Sequence, residues 1–183
     1  MNAIKTLAKW TLEDYHRMVD AGILADRPVE LLAGEIIEMS PEGPIHRFYS
    51  EGLAGYFRSR LTGRAWIQEA RPITLSDSEP EPDVSIVRSP RERYRDRHPS
   101  ADDIFLVVEV SFSSLAKDLE IKTKLYAEAE IEDYWVIDLT KRQFIVLRSP
   151  YQGTYQSRQE LQCGAIAPIA FPDVELSIED FWA

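Results

Sequence analysis

At 183 residues and 21.0 kDa, with 44% hydrophobic and 28% charged residues, the chain can bury a real core and is short for two domains, so residues 1–183 read as one domain. No stretch reaches the roughly 20 apolar residues of a membrane helix. The opening MNAIKTLAKWTLEDY lacks the apolar core of an export signal, and one cysteine, Cys163, among three scattered histidines gives neither a disulfide nor a zinc pattern. A cytoplasmic protein away from the membrane is expected. The net charge of −10 repels nucleic acid at long range. Ser85–Ser100 runs the other way, with Arg88, Arg91, Arg93, Arg95 and Arg97 against Glu92 and Asp96, a local charge of +3 that leaves −13 on the remainder. Such a segment can form a basic lip beside an acidic pocket.

In chain order, Thr11 with Asp14 three positions on starts a helix over about 11–21, and Gly22 can end it. Val29–Leu32 and Glu35–Met39 read as strands of a hairpin turning at Ala33-Gly34. Leu53, Tyr56, Phe57 and Leu61 recur at helical spacing, so about 45–61 is the next helix, with Gly63 as its stop. Trp66–Leu75 and Asp83–Val87 read as strands around a stretch broken by Pro72, Pro80 and Pro82. Ile104–Val110 is apolar almost throughout, the pattern of a strand buried on both faces. A helix follows over about 114–129, then strands at Tyr134–Asp138 and Phe144–Arg148 and a last helical turn near Ser177–Asp180. This order predicts an α/β (or α+β) domain, a mixed β-sheet flanked by helices.

Glu109 breaks the apolar run of its strand. A carboxylate at the end of such a strand is costly unless paired, hydrogen-bonded or bound to a cation. Asp83 opens the preceding strand directly after Pro82, which stiffens the approach to it. Neighbouring strands lie about 4.8 Å apart. Two carboxylates that close repel unless a cation lies between them, and oxygen ligands suit Mg²⁺ or Mn²⁺. Asp118, Lys122 and Tyr126 follow at i, i+4, i+8 and share one helix face. A lysine facing an acidic pair can orient a water or steady charge on a scissile phosphate, so the pieces suggest metal-assisted phosphodiester hydrolysis. His46, at a helix start, could touch phosphate or act as an acid.

Taken together, Glu30-Leu31-Leu32-Ala33-Gly34-Glu35, Met39-Ser40-Pro41 with His46, Pro82-Asp83, Glu109-Val110-Ser111, Asp118-x-x-x-Lys122-x-x-x-Tyr126 and Asp133-Tyr134-Trp135 resemble the Uma2 family of restriction-endonuclease-like proteins in the PD-(D/E)XK nuclease superfamily. The resemblance spans about residues 10–180. It implies that Asp83 and Glu109 are the acidic residues of the two half-motifs, with Glu30 and the Val110 carbonyl as further metal ligands. The lysine of the second half-motif would stand at position 111, which is serine here, and Lys122 on the following helix takes its place. Two departures, Ala129-Glu130-Ile131 and Phe112-Ser113-Ser114, bear on loop shape and helix entry.

The function expected from this is a Mg²⁺- or Mn²⁺-dependent DNA endonuclease in which Asp83, Glu109 and Lys122 are catalytic. The ligands are Glu30, Asp83, Glu109 and Val110, and the residues contacting substrate are His46, Arg88, Arg91 and Arg93. A homodimer is expected, since enzymes that cut both strands are often two-fold. The acidic net charge and the serine at 111 also motivate an alternative, a non-catalytic nuclease-fold module for dimeric interaction or nucleic-acid binding. A third reading is a hydrolase of free nucleotides or RNA.

Overall fold

The computed structural model describes residues 7–183, so part of the N-terminal stretch read for an export signal, residues 1–6, lies outside the described residues. Helix α1 (Leu12–Asp20) starts in a capping box in which Thr11 and Asp14 satisfy each other's backbone. Strands β1 (Val29–Leu32) and β2 (Glu35–Glu38) pair antiparallel around Ala33 and Gly34, both at positive φ as a tight twisted turn requires. Gly34 is needed twice over, because a Cβ there would fall 2.9 Å from Lys9 Cβ. Helix α2 (Pro44–Leu61) has proline in its first turn, where the missing N–H costs nothing.

Six strands form the main sheet in the order β3-β4-β5-β6-β7-β8: β3 (Ala65–Glu69), β4 (Val84–Arg88), β5 (Ile104–Ser111), β6 (Asp133–Asp138), β7 (Gln143–Tyr151) and β8 (Thr154–Leu161). All neighbours are antiparallel except β5 and β6. A parallel pair needs a crossover, supplied by helix α3 (Leu115–Lys117), a π-helical turn (Asp118–Lys122) and helix α4 (Thr123–Glu128). A short β9–β10 pair (Ala165–Ile166, Leu176–Ser177) and helix α5 (Ile178–Phe181) close the chain. The observed architecture is the expected mixed sheet flanked by helices.

The sheet divides two apolar layers. Leu53, Phe57 and Leu61 of α2 pack on Ile86, Leu106, Val108 and Trp135 on one face. On the other, Leu125 and Tyr126 of α4 meet Val107, Tyr134 and Val136. Among the described residues no helix is long and apolar enough to cross a membrane.

Three expectations change. The strand expected over Trp66–Leu75 ends at Glu69, because Ala70 turns to φ 44° and Pro72 follows, leaving only an isolated bridge from Thr74 to Ser100. The single helix over about 114–129 is interrupted by the π turn, at the segment that carries Asp118 and Lys122. Strand β8 was not predicted, since TYQSRQEL is polar and largely exposed and its strand state comes from pairing with β7.

Candidate active site

Strand β5 delivers Glu109. Leu106, Val108 and Val110 face the α2 layer, so the pleat sends Val107, Glu109 and Ser111 toward α4. There Glu109 Oε1 accepts Lys122 Nζ at 2.9 Å and the Tyr126 hydroxyl at 2.8 Å. One turn earlier, Asp118 accepts hydroxyls from Ser111 and Ser114, each at 2.7 Å. The face read from Asp118, Lys122 and Tyr126 is therefore applied to the underside of β5.

Asp83 stands just before β4. Carrying the register Val84↔Val108 one residue on sets Asp83 across from Glu109. Its Oδ2 accepts the Val110 N–H at 2.6 Å and lies 3.1 Å from His46 Nε2 in the first turn of α2. His46 Nδ1 is buried without a partner among the described residues. Glu30, on β1, meets Lys117 Nζ at 2.7 Å, Lys122 Nζ at 3.2 Å and the Glu81 N–H at 3.3 Å.

Glu30, His46, Asp83, Glu109 and Lys122 line one cavity of about 660 Å³. Glu30 is 0%, Lys122 2% and Glu109 3% exposed, so these charges are compensated by one another more than by water. One group among the described residues offers ligand atoms all within 4.8 Å of one another, and it is Glu42, His46 and Asp83. Glu30 and Glu109 are outside it, because their oxygens turn to Lys117, Lys122 and Tyr126. Val110 reaches Asp83 through its N–H.

The arginines singled out in the sequence lie elsewhere. Arg88 Nε donates to the Asp102 carbonyl at 2.9 Å, and Arg93 binds Asp103 at 3.0 Å. Arg91 lines a second cavity and faces the Trp66 ring. Asp133 is held by Arg148, the Trp135 indole N–H and the Ile169 N–H, a structural clamp away from the cavity.

Electrostatics follow the crowding of acids. Burial pushes the Glu109 carboxyl well above its usual range; Lys122 opposes this, while Asp118, Asp83 and Glu30 add to it. Burial alone would raise Glu30 too, but Lys122 and Lys117 outweigh it and lower that carboxyl. For Lys122, burial favours the neutral amine, yet Glu109, Glu30 and Asp118 prevail and hold it charged. His46 is raised above its ordinary value because Asp83 outweighs its burial.

Sequence reading missed Lys117, Glu42 and Glu81, which line the same cavity. Lys117 precedes the i, i+4 pattern by one residue and meets Glu30 at 2.7 Å. Glu42 lies in the run Pro41-Glu42-Gly43-Pro44, which signals only a loop.

A family model described as "Putative restriction endonuclease", that of Uma2, matches residues 12–179. The chain belongs to the Uma2 family. A comparison with curated proteins finds no match. Among solved structures, a protein from Anabaena variabilis ATCC 29413, described as a putative nuclease belonging to DUF820, superimposes with a TM-score of 0.69 at 17% identity, covering 84% of this chain and 89% of its own. Uma2 membership supports a nuclease, and the structural likeness carries the fold.

Proposed function

We propose that this Uma2 protein is a Mg²⁺- or Mn²⁺-dependent endonuclease that hydrolyses DNA phosphodiester bonds in the acidic cavity. The observation that carries the reading is Asp83, at the entry to β4, set across from Glu109 on the paired strand β5, with Lys122 on Glu109. The donor set fits a hard divalent cation: carboxylate oxygens dominate, with one imidazole nitrogen. The mutual repulsion that helps push the Glu109 carboxyl up is also what a cation would relieve.

Asp83 and Glu109 would hold the ion, with Glu30 and the Val110 carbonyl as the ligands inferred from sequence and His46 or Glu42 as those favoured by proximity. A bound ion supplies Lewis-acid polarisation of the phosphoryl oxygen and acidifies a water. The chain's own groups do the positioning. The Val110 N–H and His46 fix the Asp83 carboxylate, and Tyr126 and Lys122 fix Glu109. Lys122 is too buried to be reached freely by substrate, so it acts by holding Glu109 and by contributing positive potential at the cavity wall. Lys117, 22% exposed at its side chain, is the more accessible cation for a phosphate oxygen.

Plasmid cleavage in Mn²⁺ tests the reading. Wild type should nick or linearise the plasmid, and Asp83→Ala should lose at least 100-fold, in line with removal of a group acting in the transition state. Equal cleavage by both proteins would sink the assignment. The second reading, a non-catalytic module, is favoured by one observation: Glu109 already has two partners on Oε1. Calorimetry with Mn²⁺ separates the two, since the module predicts no binding that depends on Asp83 and Glu109.

A further inference from the structure

A second cavity, about 920 Å³, runs beside strand β3 between Trp66–Glu69 and the 3-10 turn Arg91–Tyr94. Strand β3 is an edge strand of the sheet. Five arginines line it against Glu69 and Glu92, in a protein whose net charge is −10. Some of that charge is neutralised locally: Arg58 pairs with Glu69, and Arg97 with the buried Asp103. Arg71, Arg91 and Arg95 differ. All three are exposed, and among the described residues none makes a salt bridge or a side-chain hydrogen bond. Three arginines without a salt bridge in one concavity of an acidic protein form a site for a polyanion, because elsewhere on the surface like charge would repel it.

The groove also has flat apolar groups. Trp66 and Tyr94 line it, each only partly buried, with the Arg91 guanidinium 5.4 Å from the Trp66 ring and that of Arg97 5.4 Å from the Tyr94 ring. Aromatic faces interleaved with guanidinium groups are what an unpaired nucleotide strand uses, phosphates on arginine and bases on rings. An intact duplex hides its base faces and would use only the arginines.

The groove and the active-site cavity are lined by consecutive residues, Ala70 in the acidic cavity and Arg71 in the groove. The Ala70 N–H donates to the Asp83 main-chain carbonyl at 3.1 Å, so Arg71 is one residue from the candidate catalytic aspartate. A strand leaving the acidic cavity at Ala70 meets Arg71 and then the aromatic, basic wall.

We propose that the groove along β3 binds a single-stranded arm of nucleic acid that continues from the phosphodiester in the acidic cavity, with Arg71, Arg91 and Arg95 on its phosphates and Trp66 under a base. This deepens the nuclease reading and rests on it for the path into the cavity. The substrate class it names is a strand with an unpaired segment flanking the scissile bond.

Fluorescence anisotropy in EDTA tests binding apart from cleavage. The probes are fluorescein-labelled 20-nucleotide dT and rU strands and a 20-base-pair DNA duplex. Expected are binding of a single strand at least tenfold tighter than of the duplex, and loss of about 100-fold in the triple variant Arg71→Ala/Arg91→Ala/Arg95→Ala. The slope of log affinity on log salt should also flatten by about 2 for the three lost contacts. Trp66→Leu should weaken single-strand binding about tenfold while Trp66→Phe keeps it. Duplex bound as tightly as single strand, or a triple variant that binds like wild type, overturns the proposal. The two readings fail separately. Arginine-dependent binding without any cleavage leaves the groove and removes the nuclease, whereas Asp83-dependent cleavage with the triple variant unaffected removes the groove alone.

Discussion

Replacing Lys122 by methionine removes one buried charge while keeping most of the side chain's volume. The ammonium lies 2.9 Å from Glu109 and 3.2 Å from Glu30, and all three residues are at most 3% exposed. At an effective dielectric of about 20, each contact with an ionised carboxylate is worth roughly 5 kcal/mol before desolvation, and breaking a buried pair by removing one partner costs about 3–5 kcal/mol. The lower end applies, because Glu30 keeps Lys117 and Glu109 keeps the Tyr126 hydroxyl. A loss of about 3 kcal/mol corresponds to a Tm drop of about 6–12 °C for a chain of this size. Thermal unfolding by circular dichroism in EDTA measures it. Glu109 already has its carboxyl raised by burial, so the neutral form is favoured in the fold and stability falls as pH rises through that raised value. Without Lys122 this sensitivity grows, and the deficit of Lys122→Met should be larger at pH 9 than at pH 6. Adding Glu109→Gln should then recover at least half of the loss, as removal of both partners leaves no orphaned charge there. A Tm within 2 °C of wild type, or a double variant whose losses simply add, would refute the account of a coupled buried cluster.

Asp103 makes a second test. Burial would raise its carboxyl, but Arg97, the Ser100 N–H and Arg93 hold it well below the usual range. A depressed carboxyl contributes stability above its unfolded value near 3.8, lost as pH falls through the folded value. Asp103→Asn should cost about 1–2 kcal/mol at pH 7 in urea titrations, and the cost should begin to shrink as pH falls below 3.8, the modest size reflecting the half-exposed arginines. His46 should titrate above its ordinary value by NMR in metal-free protein and fall when Asp83 becomes Asn, since Asp83 is the main influence raising it; an unchanged titration in Asp83→Asn would break that link. Phe57→Ala, at a side chain 0% exposed against Trp135, should cost about 3–5 kcal/mol by urea unfolding with the same m-value.

The outline of the fold and part of the candidate site are legible in the sequence. Apolar runs such as Ile104–Val110 show where buried strands lie, because burial on both faces excludes polar side chains, and Glu109 is conspicuous because it breaks that rule. The i, i+4, i+8 spacing of Asp118, Lys122 and Tyr126 put them on one face, and the fold turns that face toward β5. Local pattern carried no information on what lies across space. That Glu30 holds two lysines, that His46 meets Asp83, and that Glu42 and Lys117 reach the same cavity all depend on how the hairpin and the start of α2 are carried past the sheet. The same holds for the arginines of Ser85–Ser100. Their charge is visible in the sequence, but tertiary packing sets Arg93 and Arg97 against a buried aspartate and leaves Arg91, beside Trp66, and Arg95 without a salt bridge among the described residues. Partners in a folded chain are chosen by topology and burial, and neither is a property of neighbours in sequence.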